Sequence, residues 1–191
     1  MKSARSLFCL LVFFPLFAQA HSVGGGGGFL TGMAHPVLGF DHLLAMVSVG
    51  ILSAQMGGRA IWAVPAAFVC MMLVGGVMGM EGNPLFPVEL GISFSVFALG
   101  IALAAEKKLP PGLAMIFVGV FALFHGHAHG AEMPSLARPV LYALGFMAGT
   151  AGIHVFGVIL GLISREIPKG ESFMRYVGAG IAGIGFQLMI V

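Results

Sequence analysis

Histidine and carboxylate side chains recur in this chain where the surrounding sequence is otherwise apolar. One group reads His35-Pro36-x-x-Gly39-x-Asp41-His42, and a second reads Phe124-His125-Gly126-His127-Ala128-His129-Gly130-Ala131-Glu132. Glu89 and His154 stand alone in two further apolar runs. On a continuous helix His35 and His42, seven apart, share a face, and so do His125, His129 and Glu132, spaced by four and three. Imidazole with carboxylate is the ligand set of a borderline divalent cation such as Ni²⁺, Co²⁺ or Zn²⁺. A bound cation also relieves the cost of placing several carboxylates together. The thirteen methionines read as packing or lipid-facing residues, since a copper(I) path calls for facing Met or Cys pairs and this polar cluster is hard and nitrogen-rich.

The elements that must position these groups are membrane helices. The chain has 191 residues, 59% hydrophobic and only 8% charged, against roughly 25% charged in a soluble domain. So little charge cannot cover a water-facing surface, and the solvent must largely be lipid. Six apolar stretches, at about 36–56, 60–80, 86–105, 111–129, 139–163 and 173–191, are each near the ~20 residues a spanning helix needs. They are continuously apolar, without the alternation of a barrel strand. Pro36, Pro84, Pro87, Pro110, Pro111, Pro139 and Pro168 read as boundaries, while Pro65 falls inside the second stretch. The fold class expected is an all-α polytopic membrane protein with six transmembrane helices after a cleaved signal peptide.

Residues 1–20 read as that signal: Lys2 and Arg5, an apolar core from Leu7 to Phe17, and the small-x-small site Ala18-Gln19-Ala20. Cleavage makes His21 the N-terminus of a glycine-rich periplasmic segment, 21–35, where its amine and imidazole could help capture ions. The transmembrane domain is then 36–191. Cys9 leaves with the signal and Cys70 is alone, so no intrachain disulfide forms. With the N-terminus outside, Arg59, Lys107, Lys108, Arg165, Lys169 and Arg175 fall on the inner side and only Arg138 outside, which puts both termini in the periplasm. Gly75-x-x-x-Gly79, Gly145-x-x-x-Gly149 and Gly157-x-x-x-Gly161 are spacings for close helix packing.

This topology brings the groups to one depth. His35, Asp41, His42 and Glu89 lie in the outer halves of the first and third spans, and His125, His127, His129 and Glu132 at the outer end of the fourth; His154 sits deeper. Bland alternatives stay open for single residues. His154 could be a helix–helix hydrogen-bond partner, His127 faces away from His125 and His129, Asp41 with His42 could be a structural ion pair, and Glu132 could be a loop acid. An intramembrane ionisable set of this size is read by default as functional, because each Asp near a helix centre costs ~2.5–3.5 kcal/mol or more.

These motifs carry a resemblance. His35-Pro36-x-x-Gly39-x-Asp41-His42-Leu43-Leu44-Ala45-Met46 with Phe124-His125-Gly126-x-Ala128-His129-Gly130-x-Glu132, and Pro87-Val88-Glu89 at the third helix, are similar to the HupE/UreJ family of hydrogenase- and urease-accessory membrane proteins. The resemblance extends over essentially the whole mature chain. It implies a nickel permease, some members carrying cobalt, in which His35, Asp41, His42, Glu89, His129 and Glu132 matter for transport, and it draws attention to Phe68 in Pro65-Ala66-Ala67-Phe68.

The expectation is therefore uptake of Ni²⁺ or Co²⁺ from the periplasm across the inner membrane, not an enzyme and without a prosthetic group. Candidate ligands are His35, Asp41, His42, Glu89, His125, His129 and Glu132, with His21, His127, His154 and Phe68 as further pathway residues. The partners are the metal ion and the bilayer; no basic patch points to nucleic acid, and a homo-oligomer is left open. No phosphate loop is present, so the chain is a facilitator, an ion-coupled carrier or part of a larger system. The alternative from another class is a haem-binding electron carrier, since paired histidines on membrane helices can ligate iron. A metalloprotease is disfavoured because Gly126, not Glu, follows His125.

Overall fold

The computed structural model describes residues 28–191 apart from Phe86, Lys107, Lys108, Glu132 and residues 134–137. The expected signal, His21 and Glu132 lie outside the described residues. The helices are α1 (Phe29–Leu38), α2 (Phe40–Met56), α3 (Ala60–Met80), α4 (Val88–Ala105), α5 (Pro111–Ala131), α6 (Pro139–Glu166) and α7 (Gly170–Ile190). Among the described residues there is no strand. Five of them, α3 to α7, are each long and apolar enough to cross a membrane, and α1 with α2 passes the same test as a bent pair. Large apolar side chains point outward on them, Trp62, Ile116, Phe156 and Phe186 among them, as a lipid-facing surface requires. The chain is a multi-pass membrane protein.

The helix boundaries follow local chemistry. Pro111 and Pro139 open α5 and α6, where a missing N–H costs nothing. Gly57, at φ 74°, closes α2 and donates its N–H to Ser53 O. Gly82, at φ 70°, turns the chain after α3.

The first span differs from the expectation. A single helix over 36–56 with a non-helical segment before it is not what forms. The helix begins at Phe29, Pro36 lies inside it instead of at its boundary, and the chain turns by 89° between α1 and α2. Gly39 sits at the turn in extended conformation (φ −89°, ψ 114°). Pro36 has already removed one intrahelical hydrogen bond, and Gly39 has the least to gain from helix. Asp41, in the first turn of α2, then accepts the backbone N–H of His42 at 2.8 Å, satisfying a donor that the new helix start would leave bare. His35 and His42 therefore do not share one helix face.

The central element is α2, which packs against every other helix. Ten of its seventeen residues are buried. The most extensive contacts pair α3 with α5, α4 with α7, and α6 with both α1 and α2. Glycine makes these pairs close. A Cβ on Gly75, Gly79, Gly126 or Gly130 would run into the backbone across the α3–α5 contact, and one on Gly32, Gly145 or Gly149 into that across α1–α6. The same holds for Gly50 and Gly157 between α2 and α6, and for Gly100, Gly178 and Gly185 between α4 and α7. All three spacings singled out in the sequence fall on such contacts.

The two ends of the bundle differ. At one end, Arg165 Nη1 reaches Ala54 O at 3.4 Å and Arg175 Nε reaches Ala104 O at 3.0 Å, cations set against the C-terminal carbonyls of α2 and α4. Gln55, Glu106, Ser164, Arg165, Glu171 and Met174 line a small cavity of about 50 Å³ there. The histidines occupy the other half. Between the two, Ile51 and Leu52 of α2, Val64 of α3 and Leu99 and Leu103 of α4 form a fully buried apolar layer.

Candidate metal site

Four imidazoles from three helices form a file. The His35 ring lies 4.8 Å from that of His129, His129 lies 4.2 Å from His42, and His42 lies 4.6 Å from His125. The file continues inward through Phe68, whose ring is 5.8 Å from His125 and 5.0 Å from His154. His125 and His154 are almost wholly inaccessible, at 0% and 1%. The bend at Gly39 makes this possible: it turns α1 onto α6 and brings His35 to one side of His129 while His42 meets the other. Phe146, 4.5 Å from His129, and Tyr142, 5.8 Å from His35, wall the outer part.

Proton accounting assigns the His42 ring. Asp41 Oδ1 stands 2.8 Å from His42 Nδ1, and an ionised carboxylate only accepts. In the neutral ring Nδ1 therefore carries the proton and Nε2 keeps its lone pair. That nitrogen is buried with no hydrogen-bond partner among the described residues. A carboxylate behind an imidazole, with the opposite nitrogen left free, is the arrangement that orients histidine ligands of metal ions. Both nitrogens of His129 and of His154, and Nδ1 of His125, are likewise buried and unpartnered among the described residues. Burying so many bare imidazole nitrogens is costly unless something else occupies them.

The nitrogens face one another less well than the rings do. Among the described residues no group of three or more His, Cys, Asp or Glu stands ready to hold one ion.

Of the residues expected from sequence, His35, Asp41, His42, His125 and His129 are brought together, and Phe68 and His154 extend them inward. Glu89 is exposed in the first turn of α4, and it forms no hydrogen bond or ion pair with the described residues. His127 turns away from the file, and its Nε2 donates to Asn83 O at 2.7 Å, tying the α3–α4 connection to α5. Sequence reasoning missed Ser95, whose Oγ is 2.8 Å from His125 Nε2, and the ring walls Tyr142 and Phe146. The available signal for the two rings was their place with Thr150 and His154 at every fourth residue along α6, all four buried.

No solved structure matches the chain. It is 44% identical over 177 residues to the protein HupE of Rhizobium leguminosarum bv. viciae, a match that covers 92% of each. The model of the family described as HupE / UreJ protein matches residues 9–188. With the two motifs it carries and a match over nearly its full length, the chain belongs to the HupE/UreJ family.

Proposed function

We propose that this protein is a permease that imports Ni²⁺, or Co²⁺, from the periplasm across the inner membrane to supply the maturation of a metalloenzyme, a hydrogenase or a urease. The observation that carries this reading is the file of imidazoles, which leads from one end of the bundle to a wholly buried ring. The histidine end faces the periplasm and the arginine end the cytoplasm, in keeping with the distribution of basic residues. On this reading α1 and α2 are one broken span, the sixth, and both termini are periplasmic once the signal has been removed after Ala20. Broken helices with irregular backbone buried in protein are what transporters use at cation sites. His21 and Glu132, which lie outside the described residues, remain candidate ligands on this reading, and Glu89 offers a carboxylate at the histidine end.

Ligand chemistry supports a transition metal over an alkaline-earth ion, because imidazole nitrogen dominates. Each ring hands the ion to the next without a rigid cage that would trap it, and the apolar layer from Ile51 to Leu103 keeps the inner side closed until helices move. A haem carrier fits less well. The rings of His35, His129, His42 and His125 follow one another at 4.2 to 4.8 Å between centroids, backed by Phe68 and Phe146, and leave no slot for a planar macrocycle between them. A Soret band in purified protein would reverse that judgement. The primary test is uptake of radiolabelled Ni²⁺ and Co²⁺ by proteoliposomes with and without ion gradients. Accumulation of neither ion above protein-free vesicles under any gradient rejects transport.

A further inference from the structure

Ser95 lies in the middle of α4, fully buried, in a span that is otherwise almost entirely apolar. Its hydroxyl has two neighbours. Oγ is 2.6 Å from Ile92 O on its own helix and 2.8 Å from Nε2 of His125 on α5. A serine hydroxyl carries a single hydrogen. The approach to Ile92 O settles where it goes, since two oxygen atoms 2.6 Å apart with no hydrogen between them repel, while O–H···O bonds are of this length. The bond from a helical serine back to the carbonyl three residues earlier is also a familiar one. With its hydrogen committed to Ile92 O, Ser95 Oγ meets His125 as an acceptor. Nε2 of His125 therefore carries a proton, and in the neutral ring Nδ1 keeps the lone pair. That Nδ1 is buried and without a hydrogen-bond partner among the described residues.

We propose that Ser95 is a positioning residue for transport: it fixes the tautomer and rotation of His125 so that Nδ1 is presented to the passing ion. The inference rests on the transport reading above. It makes His125 the counterpart of His42. The two rings are 4.6 Å apart, and each has one nitrogen held from behind, so that each offers the other. The holding groups differ in charge. Asp41 is anionic and makes the ring it holds the stronger ligand, whereas the neutral Ser95 leaves His125 the weaker one. Such a pair captures the ion at the outer ring and releases it more readily from the inner one, while the concentration or ion gradient drives the transfer. Ser95 comes from α4 while its ring comes from α5, so the hold also makes the inner ring sensitive to how α4 sits against the bundle.

The experiment uses the full-length protein in nanodiscs and proteoliposomes, with Ser95→Ala, Ser95→Thr, His125→Ala and the double variant Ser95→Ala/His125→Ala. Two readouts are taken. In metal-free protein labelled with ¹⁵N-histidine, solid-state NMR assigns the His125 tautomer by its loss in His125→Ala. The expected result is Nε2–H in the parent and in Ser95→Thr, which keeps the hydroxyl, and a mixed population in Ser95→Ala. In Ni²⁺ uptake, Ser95→Ala is expected to raise KM about ten-fold, as removal of a group behind a histidine ligand typically does. Ser95→Thr restores it, and Ser95→Ala adds nothing in the His125→Ala background. An unchanged tautomer in Ser95→Ala, or an equal loss whether or not His125 is present, overturns the proposal. A shifted tautomer in protein that moves no nickel or cobalt at all, parent included, keeps the Ser95–His125 bond, sinks the transport reading and takes the positioning role with it.

Discussion

Replacing Asp41 tests the site most directly, because the structure gives it two separable tasks. One oxygen, Oδ1, accepts both the backbone N–H of His42 and the ring Nδ1–H, each at 2.8 Å. Asp41→Asn keeps an acceptor in that place and removes the charge. A hydrogen bond to a charged group contributes about 1.5–3 kcal/mol and a neutral one about 0.5–1.5, so roughly 1–1.5 kcal/mol is lost at the ring. About 1.4 kcal/mol is a factor of ten in affinity. The expected effect of Asp41→Asn is therefore an increase of roughly ten-fold in the apparent KM for Ni²⁺. Asp41→Ala also frees the His42 tautomer, and the loss should reach about a hundred-fold, the upper range for a group behind a metal ligand. Asp41→Asn should not reduce membrane levels, since it keeps the acceptor and removing a charge makes insertion easier, whereas Asp41→Ala also bares the His42 backbone N–H at the start of α2 and should lower them modestly. If the pair were merely structural, abundance would fall and transport per molecule would stay normal. Uptake across a range of nickel concentrations, normalised to immunoblotted membrane protein, separates the two. Full normalised uptake by Asp41→Ala at limiting nickel would refute the reasoning and remove the first motif from the site.

Three further outcomes are expected. Gly126→Ala should abolish accumulation of folded protein, because the new methyl would meet the Met72 carbonyl, whereas Gly76→Ala, whose methyl finds Gly126 O at an ordinary 3.6 Å, should accumulate normally; equal levels of the two would show that the α3–α5 contact is not limiting. His127→Ala breaks the 2.7 Å bond to Asn83 O, and, at a cost of about 1 kcal/mol for a neutral hydrogen bond, should speed proteolysis between α3 and α4 while KM for nickel stays within about three-fold; a loss as deep as that of His129→Ala would place His127 in the path. A phosphatase fused after Val191 should be active in the periplasm, and activity confined to a cytoplasmic reporter there would mean that α1 and α2 do not together complete a sixth span.

The membrane fold was legible because lipid imposes a length and a composition that few other structures share. Both boundaries of each helix from α3 to α7 fell within about three residues of the expected stretches, several of them where proline or glycine states them chemically. The first span was misjudged for a local reason. Hydropathy reads continuously from Pro36 to Met56, and nothing in composition says that the chain turns at Gly39. That depends on α6 offering Gly145 and Gly149 as a bed for α1. The histidines were found because an ionisable group in an apolar run is conspicuous, and they met as the topology required even though the helix-face argument for His35 and His42 failed. Ser95 was passed over because a serine in a membrane helix can bond its own backbone, and only the distance to His125 shows that it does something more.

The glycine and imidazole patterns are one pattern offset by a single residue. On α5, Gly126 and Gly130 face α3, and the residues just before them, His125 and His129, face the file. On α6, Gly145 and Gly149 lie against α1, and the residues just after them, Phe146 and Thr150, continue the stripe that ends at His154. One residue is about 100° around a helix, so each helix carries a smooth face and a polar or aromatic face side by side. The smooth faces lock α3 to α5, and α6 to α1 and α2, at distances that admit no side chain. The other faces meet across a less extensive contact, with His125, His129 and Phe68 on one side and His35, His42 and His154 on the other. A path between two tightly locked units can change width as the units shift, without disturbing the packing inside either. On the transport reading proposed above, the abundance of glycine serves function as well as packing, because the helix pairs it closes leave the imidazoles at the contact between the two units.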